Sequence, residues 1–350
     1  MMDANSHVFV NMRAQTAGLR GVQRYTAEIR GRLRDRVITV APDRPMHGVR
    51  GHLWEQTVLP RIVGKGLLWS PTNSGPLRVT RQVLTLHDIA SLEHPEWFNS
   101  VFVAWYRWLI PKLIKRVRRV ITVSRFSRER LVALSNIDES KIVVIPEGVD
   151  RRFRTRSADE IARVRRELGI PSPHYVFSLA TMEPRKNLRR LLATWSLCVT
   201  RLPEEIWLVL AGSSAPSNVF GGVELDHIPP RVHFAGFVAD DSLPALYSGA
   251  LALVYVSLYE GFGLPVLEAM ASGTVPIVAG NTSLPEVVGD AGFQVNPYDT
   301  EDIAAAIQRV VDDSNLRETL EARAVRHSQQ FSWEYTTTLT WDVLSEAMAF

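Results

Sequence analysis

Short apolar runs alternate along the chain with segments whose apolar residues recur at helical spacing. Runs such as Val83–Leu86, Tyr175–Leu179 and Val275–Ala279 are typical of strands that are buried on both faces. Amphipathic segments such as Leu188–Val199 and Ile303–Val311 lie between such runs. This alternation predicts an α/β fold, with parallel sheets that are covered by helices on both faces.

A strongly basic stretch, Arg151–Arg156, separates two halves that both show this alternation. A chain of 350 residues is long for one domain and comfortable for two. We therefore predict two Rossmann-like, doubly wound domains, at residues 1–152 and 158–332. Ligands of open parallel sheets bind at the carboxyl ends of the strands, so we expect the ligand in a cleft between the two domains.

One predicted strand–loop–helix unit carries the most specific local pattern. The apolar run Ala250–Val256 leads into a loop with two glycines, and Pro265 suits the first position of a helix that stops at Gly273. Glu260 stands on the loop and Glu268 one turn into the helix. Backbone N–H groups at a helix start attract anions such as phosphate, and a carboxylate accepts hydrogen bonds from paired hydroxyls of a sugar or ribose.

Two other groups of polar residues follow predicted strands. Arg185 and Lys186 come after Tyr175–Leu179, and two adjacent cations repel each other unless an anion such as a diphosphate lies between them. His87 and Asp88 end the strand Val83–Leu86, where ligand-contacting residues of parallel sheets are found.

Structural roles are the alternatives for these residues. Ser257 and Glu260 match a capping box, although the glycines and the proline that follow disfavour a helix there. Glu268 has the alternative role of a first-turn acid that the helix dipole favours. His87 has that of an ordinary loop residue, and the two cations that of a solvated surface.

Composition excludes several classes of protein. The chain is 46% apolar and 22% charged, so it can bury sizeable cores. A net charge of +3 is too small for a general nucleic-acid binder, in spite of the sequence pI of about 9.1. The single cysteine, Cys198, rules out a disulfide framework and fits a reducing compartment. We see no signal peptide at Met1–Val10, no apolar run of about 18 residues, and no cluster of aspartates with a metal-binding pattern.

The segment Phe98–Arg119 predicts one helix, interrupted or kinked at Pro111. It combines aromatic residues such as Trp105 and Trp108 with five cations between Lys112 and Arg119. Such a helix is able to lie on an anionic membrane surface. The other interpretation places the aromatic residues in the core and the cations in solvent, and both stay open.

The stretch 259–273, Tyr-Glu-Gly-Phe-Gly-Leu-Pro-Val-Leu-Glu-Ala-Met-Ala-Ser-Gly, resembles the motif of retaining, sugar-nucleotide-dependent glycosyltransferases with the GT-B fold. In that motif, as here, seven residues separate two glutamates. The resemblance covers essentially the whole chain, and further matches are Glu183–Asn187, His87–Asp88, Ser124–Ser127 and Glu147–Asp150. Gly21–Tyr25 and Trp54–Gln56 are similar to a bacterial branch that builds O-antigens and other surface polysaccharides, often as mannosyl- or rhamnosyltransferases. Two positions depart from the family pattern: Ala180 replaces the usual glycine and Glu147 the usual asparagine.

The resemblance implies a role for individual residues. Glu268 would accept hydrogen bonds from the ribose, Glu260 would hold the donor sugar, and Arg185 and Lys186 would bind the diphosphate. His87 would contact the sugar near the reacting carbon, with Asp88 on the acceptor side. The implied catalytic residues are thus Arg185, Lys186, Glu260 and His87, and the implied donor-binding residues are Gly21, Phe237, Val238, Gly261, Phe262, Gly263, Leu264 and Glu268.

The resemblance also implies an activity. A hexose, with mannose or a deoxymannose favoured, would pass with retention from a nucleoside diphosphate sugar, a GDP-sugar favoured, to a polyprenyl-linked or polysaccharide acceptor. No metal and no further cofactor would be required, and the protein would work in the bacterial cytoplasm or at the inner face of its membrane. The final helix, 334–350, would pack back on the first domain. A sugar-nucleotide 2-epimerase and a non-catalytic sugar-nucleotide-binding subunit are the alternatives.

Overall fold

The computed structural model describes residues 7–14, 21–46, 48–135, 137–179, 181–212 and 227–349. The strands in these ranges are β1 Val8–Asn11, β2 Val37–Val40, β3 Leu67–Ser70, β4 Gln82–Leu86, β5 Arg119–Thr122, β6 Ile142–Val144, β7 Tyr175–Leu179, β8 Trp207–Ala211, β9 Val232–Gly236, β10 Ala252–Tyr255, β11 Val275–Ala279 and β12 Phe293–Val295. The helices are α1 Gly21–Leu33, α2 Gly48–Thr57, α3 Leu59–Val63, α4 Ala90–Glu93, α5 Ser100–Arg116, α6 Arg125–Ser135, α7 Ala158–Glu167, α8 Leu188–Val199, α9 Leu243–Ser248, α10 Leu264–Ala271, α11 Leu284–Val288, α12 Thr300–Asp312, α13 Ser314–Ser328 and α14 Trp333–Ala349.

The chain divides into two compact units. The first comprises the described residues of Met1–Glu93, Val103–Gly148 and Phe331–Phe350, and the second those of His94–Phe102 and Val149–Gln330. Among the described residues, each unit contains one six-stranded sheet, and the strand pairings of both sheets are parallel. The predicted α/β class is therefore confirmed.

The sheet of the first unit has the strand order β2-β1-β3-β4-β5-β6. Its strands are short and apolar, and β3 and β4 are buried along their whole length. The order reverses between β1 and β3. Strand β2 lies beside β1 on one side of this pair, and β4, β5 and β6 follow β3 on the other side. In folds of this kind, the carboxyl ends of the two strands at the reversal border the ligand crevice.

The last helix, α14, belongs to the first unit, where it packs on α1 and lies against β3, β4 and β5. Ser332 caps the helix, because its Oγ accepts a hydrogen bond from the backbone N–H of Tyr335 at 3.1 Å. Trp333 is buried and meets Tyr25 edge to face at 6.0 Å. A side chain at Gly148 would lie 2.2 Å from the Trp333 nitrogen, so only glycine permits this close packing.

The sheet of the second unit has the strand order β12-β11-β10-β7-β8-β9, with the reversal between β7 and β10. Its core lies between the sheet and helices α8 and α12, where Trp195, Leu208, Val254 and Ile307 are fully enclosed. The predicted alternation of apolar runs and amphipathic helices is confirmed here, and helix α8 has the predicted bounds.

Several elements differ from the sequence prediction. The helix expected over Phe98–Arg119 ends at Arg116, because Arg119 is already paired in β5 with Val83 of β4. Pro111 lies inside α5 without ending it. Two separate helices, α2 and α3, follow β2, and Pro60 lies in the first turn of α3.

Two further points concern the chain as a whole. The implied donor-binding residue Gly21 begins α1, and residues 15–20 before it lie outside the described residues. Within the ranges described, no helix combines the length and the apolar character that crossing a membrane requires.

Candidate active site

The strongest cluster of charged side chains in the second unit lies where its sheet reverses. The loop after β7 contains a short 3₁₀ turn, Pro184–Lys186. Glu183 precedes this turn, and Arg185 and Lys186 are part of it. The loop after β10 carries Glu260. Because β7 and β10 are neighbours, the two loops leave the sheet side by side.

Asn187 fixes the first of these loops to its surroundings. Its backbone is left-handed, at φ 59° and ψ 30°, which asparagine tolerates better than most residues. Its side-chain amide donates to the carbonyl oxygens of Val256, at 3.1 Å, and Pro297, at 2.8 Å. The position of Lys186 is therefore set by the strand that precedes Glu260.

Lys186 and Arg185 are paired with two glutamates. Lys186 Nζ lies 2.6 Å from Glu260 Oε1 and 2.6 Å from Tyr255 Oη. Arg185 Nε donates to Glu183 Oε2 at 2.8 Å, and Arg185 Nη1 lies 3.5 Å from Glu260 Oε2. The two cations and the two carboxylates make a formally neutral cluster.

Electrostatics keep this cluster ionised although it is largely buried. Burial alone would raise the pKa of Glu260, but the charges of Lys186 and Arg185 outweigh it and hold that pKa below its ordinary value. The same balance between burial and these cations lowers the pKa of Glu183. Burial, together with the charge of Glu260, raises the pKa of Tyr255 well above its ordinary value, so this phenol stays protonated.

The pairing corrects one argument from the sequence. We took adjacent cations at 185 and 186 as a reason to expect a diphosphate between them. In the structure, the anions that balance them are Glu183 and Glu260, because the fold brings the loop after β10 next to the loop after β7. Their adjacency alone therefore does not require a ligand.

Helix α10 begins directly after the glycine loop. Its N-cap residue is Gly263, at φ 117° and ψ 48°, so no N-cap side chain covers the helix N-terminus. A Cβ at this position would also lie 2.4 Å from Leu284 Cδ2. Since α10 starts at Leu264, the alternative in which Ser257 and Glu260 form a capping box is wrong. The hydroxyl of Ser283 secures the loop, 2.9 and 3.0 Å from the carbonyl oxygens of Glu260 and Phe262.

Glu268 lies on helix α10, which follows the glycine loop. It is buried, and the hydroxyl of the buried Tyr247 lies 3.4 Å from its Oε2. A first-turn position is excluded, because Glu268 is the fifth residue of α10. The two residues predicted to contact the base follow the edge strand β9: Phe237 is 79% exposed, whereas Val238 is buried.

In the first unit, the predicted site residue His87 follows β4 and has hydrogen-bond partners in the segments that follow β3, β5 and β6. Its ring Nδ1 lies 3.0 Å from Glu147 Oε1 and its Nε2 lies 2.9 Å from the Pro71 carbonyl oxygen. Its backbone N–H donates to Asn73 Oδ1, and its carbonyl accepts from Ser127 Oγ. Every polar atom of His87 thus has a partner within the first unit. Its predicted contact with the donor sugar stays a prediction.

Glu147 is a residue that the sequence reasoning set aside. The family pattern has asparagine at this position, and the resemblance assigns Glu147 no role in the chemistry. In the structure, its buried carboxylate is the partner of His87. The departure itself was the signal that could have identified it. The other neighbour of His87, Asp88, accepts from the Ala90 N–H at 3.1 Å, where α4 begins.

A second buried carboxylate of the first unit, Glu55, lies at the reversal between β1 and β3. It accepts hydrogen bonds from Asn11 Nδ2 at 2.6 Å, from Arg13 Nε at 3.3 Å and from Ser74 Oγ. Burial would raise the pKa of Glu55, but the Arg13 charge and the hydrogen bonds lower it to about 2. The sequence reasoning noted the segment Trp54–Gln56 but did not identify this network.

Comparison with known proteins places this site in a family. The sequence matches the family model described as "Glycosyl transferases group 1" over residues 160–327 and the model "Glycosyltransferase Family 4" over residues 64–153. It is 37% identical over 268 residues to the O-antigen chain mannosyltransferase B of Escherichia coli, a match that covers 76% of this chain and 70% of that protein. The chain belongs to the group 1 glycosyltransferases.

Other relatives agree with this assignment. The glycosyltransferase is 31% identical over 267 residues to the serotype-specific mannosyltransferase WbdA of Escherichia coli, over 74% of this chain but only 32% of that longer protein. It is 28% identical to the O-antigen chain mannosyltransferase RfbU of Salmonella typhimurium, over 72% of this chain and 67% of that protein.

Solved structures share the fold of the glycosyltransferase. Anabaena HepE, in complex with UDP and glucose, aligns over 97% of this chain and 99% of its own, with a TM-score of 0.77 and 20% identity. WaaG, a glycosyltransferase involved in lipopolysaccharide biosynthesis, aligns over 96% and 99%, with a TM-score of 0.72 and 13% identity. The predicted GT-B fold is confirmed, and the family assignment favours the predicted glycosyltransferase over the 2-epimerase alternative.

Proposed function

We propose that this glycosyltransferase moves mannose or a deoxymannose, with retention, from a nucleoside diphosphate sugar to a lipid-linked or polysaccharide acceptor of a bacterial surface glycan. A GDP-sugar is the favoured donor. The names of the relatives, which include O-antigen chain mannosyltransferases, support the sugar and the pathway. The observation that carries the chemistry is the cluster of Lys186, Arg185 and Glu260 beside the start of α10.

The chemical problem is the departure of a nucleoside diphosphate from an anomeric carbon. Negative charge grows on the phosphate oxygen while positive charge grows on the sugar. In our proposal, Arg185, Lys186 and the N-terminus of α10 stabilise the leaving group, because fixed donors in a partly buried site act strongly on developing charge. These groups supply the charge that a metal ion would otherwise supply, so the proposed reaction calls for none.

An incoming diphosphate would meet cations that already have partners. An ammonium group has three N–H donors, and two acceptors lie within 2.6 Å of Lys186 Nζ. The third donor has no partner among the described residues, and it is the one we assign to a phosphate oxygen. Arg185 would contribute its charge from its position between Glu183 and Glu260.

The remaining predicted residues complete the proposal. Glu268 binds the ribose hydroxyls, and Glu260 with the backbone of Gly261–Leu264 holds the donor sugar. Phe237 and Val238 contact the base, whereas His87, Asp88 and Gly21 act from the first unit on the sugar, the acceptor or the phosphates. Retention would follow from attack on the face that the diphosphate leaves, with the departing phosphate accepting the proton of the acceptor hydroxyl. Double displacement is the other route, and no carboxylate stands out as its nucleophile.

The test compares transfer rates of Lys186→Ala and Glu260→Ala with that of the wild type, using GDP-mannose and a lipid-linked acceptor. We expect Lys186→Ala to lower turnover on the order of 10²-fold or more, because it removes charge stabilisation of the leaving group. The matched control is Arg309→Ala, which removes an exposed cation from α12 of the same unit. Near-normal rates in both site variants would show that the site is assigned wrongly.

The donor itself is tested by thermal unfolding in the presence of nucleoside diphosphates and their sugars. A ligand that binds the folded state raises the unfolding temperature according to its concentration relative to its dissociation constant. We expect the largest rise with GDP and its sugars. A larger rise with UDP compounds would overturn the favoured donor while leaving the transferase assignment intact.

We also propose that the first unit contacts an anionic membrane through α5 and α2, at the inner face of the bacterial cytoplasmic membrane. Within α5, Tyr106 is buried, whereas Trp108 is 45% exposed and carries Lys112 Nζ 4.1 Å from its ring centre. The interpretation that places aromatic residues in the core therefore holds for Tyr106, and our proposal assigns the exposed Trp108 to the membrane.

Helix α2 extends the exposed apolar surface of α5. The ring of His52 of α2 packs against that of Trp105, with 4.9 Å between ring centres, and Val49 and Leu53 of α2 are 76% and 61% exposed. Apolar side chains bordered by cations are suited to an anionic bilayer surface. Flotation with vesicles that contain anionic lipid tests the idea, and a protein that stays unbound at low salt would contradict it.

A further inference from the structure

Tyr255, which is not among the predicted site residues, contacts the ammonium group of Lys186. It is the last residue of β10 and is buried. Its hydroxyl lies 2.6 Å from Lys186 Nζ, and Nζ lies 4.9 Å from the centre of its ring. Glu260 Oε1 lies 2.6 Å from the same Nζ, so the ammonium group is held between a phenol and a carboxylate.

The donors and acceptors of these three groups fix the direction of each hydrogen bond. An ammonium group has no lone pair and only donates, so the Tyr255 oxygen accepts from Lys186. Lys186 thus donates one hydrogen bond to the Tyr255 oxygen and a second one to the carboxylate of Glu260.

This arrangement determines where the remaining N–H of Lys186 points. The three N–H bonds of an ammonium group are arranged tetrahedrally, so two fixed partners leave one direction for the third. Without the phenol oxygen, Glu260 would be the one remaining partner of the ammonium group, and the other two N–H bonds could rotate about that hydrogen bond.

We propose that Tyr255 is a positioning residue, which acts through Lys186 and aims its third N–H at the leaving diphosphate. The inference rests on the proposed function, because it assigns that N–H to a phosphate oxygen. It predicts that the hydroxyl of Tyr255 matters for turnover although it need not touch the substrate.

The test is Tyr255→Phe, which removes the hydroxyl and keeps the ring. We expect kcat to fall about tenfold, the effect of one misaligned hydrogen bond, with little change in the donor KM. Tyr175→Phe is the matched control. Tyr175 is a buried tyrosine of the same unit whose hydroxyl donates to the Leu246 carbonyl oxygen at 2.7 Å. We expect both variants to lose similar stability but only Tyr255→Phe to lose turnover.

A double-mutant cycle separates positioning from a general structural role. If Tyr255 acts through Lys186, then Tyr255→Phe has no further effect on kcat in a Lys186→Ala background. A further tenfold loss in that background, or equal turnover losses in Tyr255→Phe and Tyr175→Phe, would overturn the inference. Normal turnover of Lys186→Ala itself would instead reject the proposed site, and the two failures are therefore distinguishable.

Discussion

The two sheets each place a buried carboxylate beside a cation at the point where the strand order reverses, but the two carboxylates have different surroundings. In the first unit, Glu55 is fully enclosed, and Asn11, Arg13 and Ser74 all hold it from neighbouring segments. In the second unit, Glu260 is bound by Lys186, whose third N–H has no partner among the described residues.

The comparison teaches that a buried charge has two uses. Around Glu55, the hydrogen bonds come from side chains of the scaffold, so its charge holds β1, α2 and the loop after β3 together. Around Glu260, the partners are cations whose charge can also act on a ligand. We therefore expect substitutions at the first site to change stability and those at the second to change turnover.

The largest expected effect on stability is that of Glu55→Ala. Removing the carboxylate leaves the Arg13 charge and the Asn11 amide without their buried acceptor, and we expect unfolding free energy to fall by about 3–5 kcal/mol. Denaturant unfolding measures this loss of unfolding free energy. Glu167→Ala is the control, because Glu167 is an exposed carboxylate paired with Arg163 on α7. Equal stability of the two variants would remove the contrast between the two sites.

The stabilisation from Glu55 should also disappear in acid. Its pKa is about 2 in the folded protein and 4.5 ordinarily, so the unfolded chain binds the proton first as the pH falls. The contribution, about 3 kcal/mol, is present above the ordinary pKa and is lost as the pH falls from there towards 2.

Unfolding of the wild type and Glu55→Gln at several acidic pH values measures this loss. The difference in stability between the two proteins should narrow as the pH falls from 5 to 3. A difference that stays constant over this range would show that the charge of Glu55 does not stabilise the first unit.

A smaller effect is expected for Glu147→Ala, which removes the partner of the His87 ring. A buried polar group that loses its partner costs about 1–3 kcal/mol, so we expect stability to fall by about 2 kcal/mol. Glu147→Gln keeps a group that can bond Nδ1 and should recover most of the loss.

The same pair of variants sharpens the comparison between the two units. If Glu147→Ala lowered turnover strongly while stability stayed normal, His87 would belong with Lys186 as part of the reaction chemistry. The first unit would then hold more than scaffold charges at the ends of its strands.

Local sequence patterns predicted much of the fold. Helix α8 and strands β7 and β11 have the predicted bounds. For the strands, the reason is that a short apolar run near glycine or proline residues has few alternatives. The end of α5 was wrong by three residues, since pairing of Arg119 with β4 overrides a sequence that would continue the helix. Strand β12 was not predicted, because its three residues carry too little pattern.

The sequence by itself determined the family motif and most of the order of strands and helices, and it predicted Arg185, Lys186, Glu260 and Glu268 as site residues. All of these depend on spacing along the chain, which a reader of the sequence can measure. Only the tertiary structure decided which residues meet: Lys186 with Tyr255 and Glu260, His87 with Glu147, and Glu55 with Arg13. Strand order sets these pairings, because crossover connections bring together loops that are tens of residues apart, and no local pattern records that order.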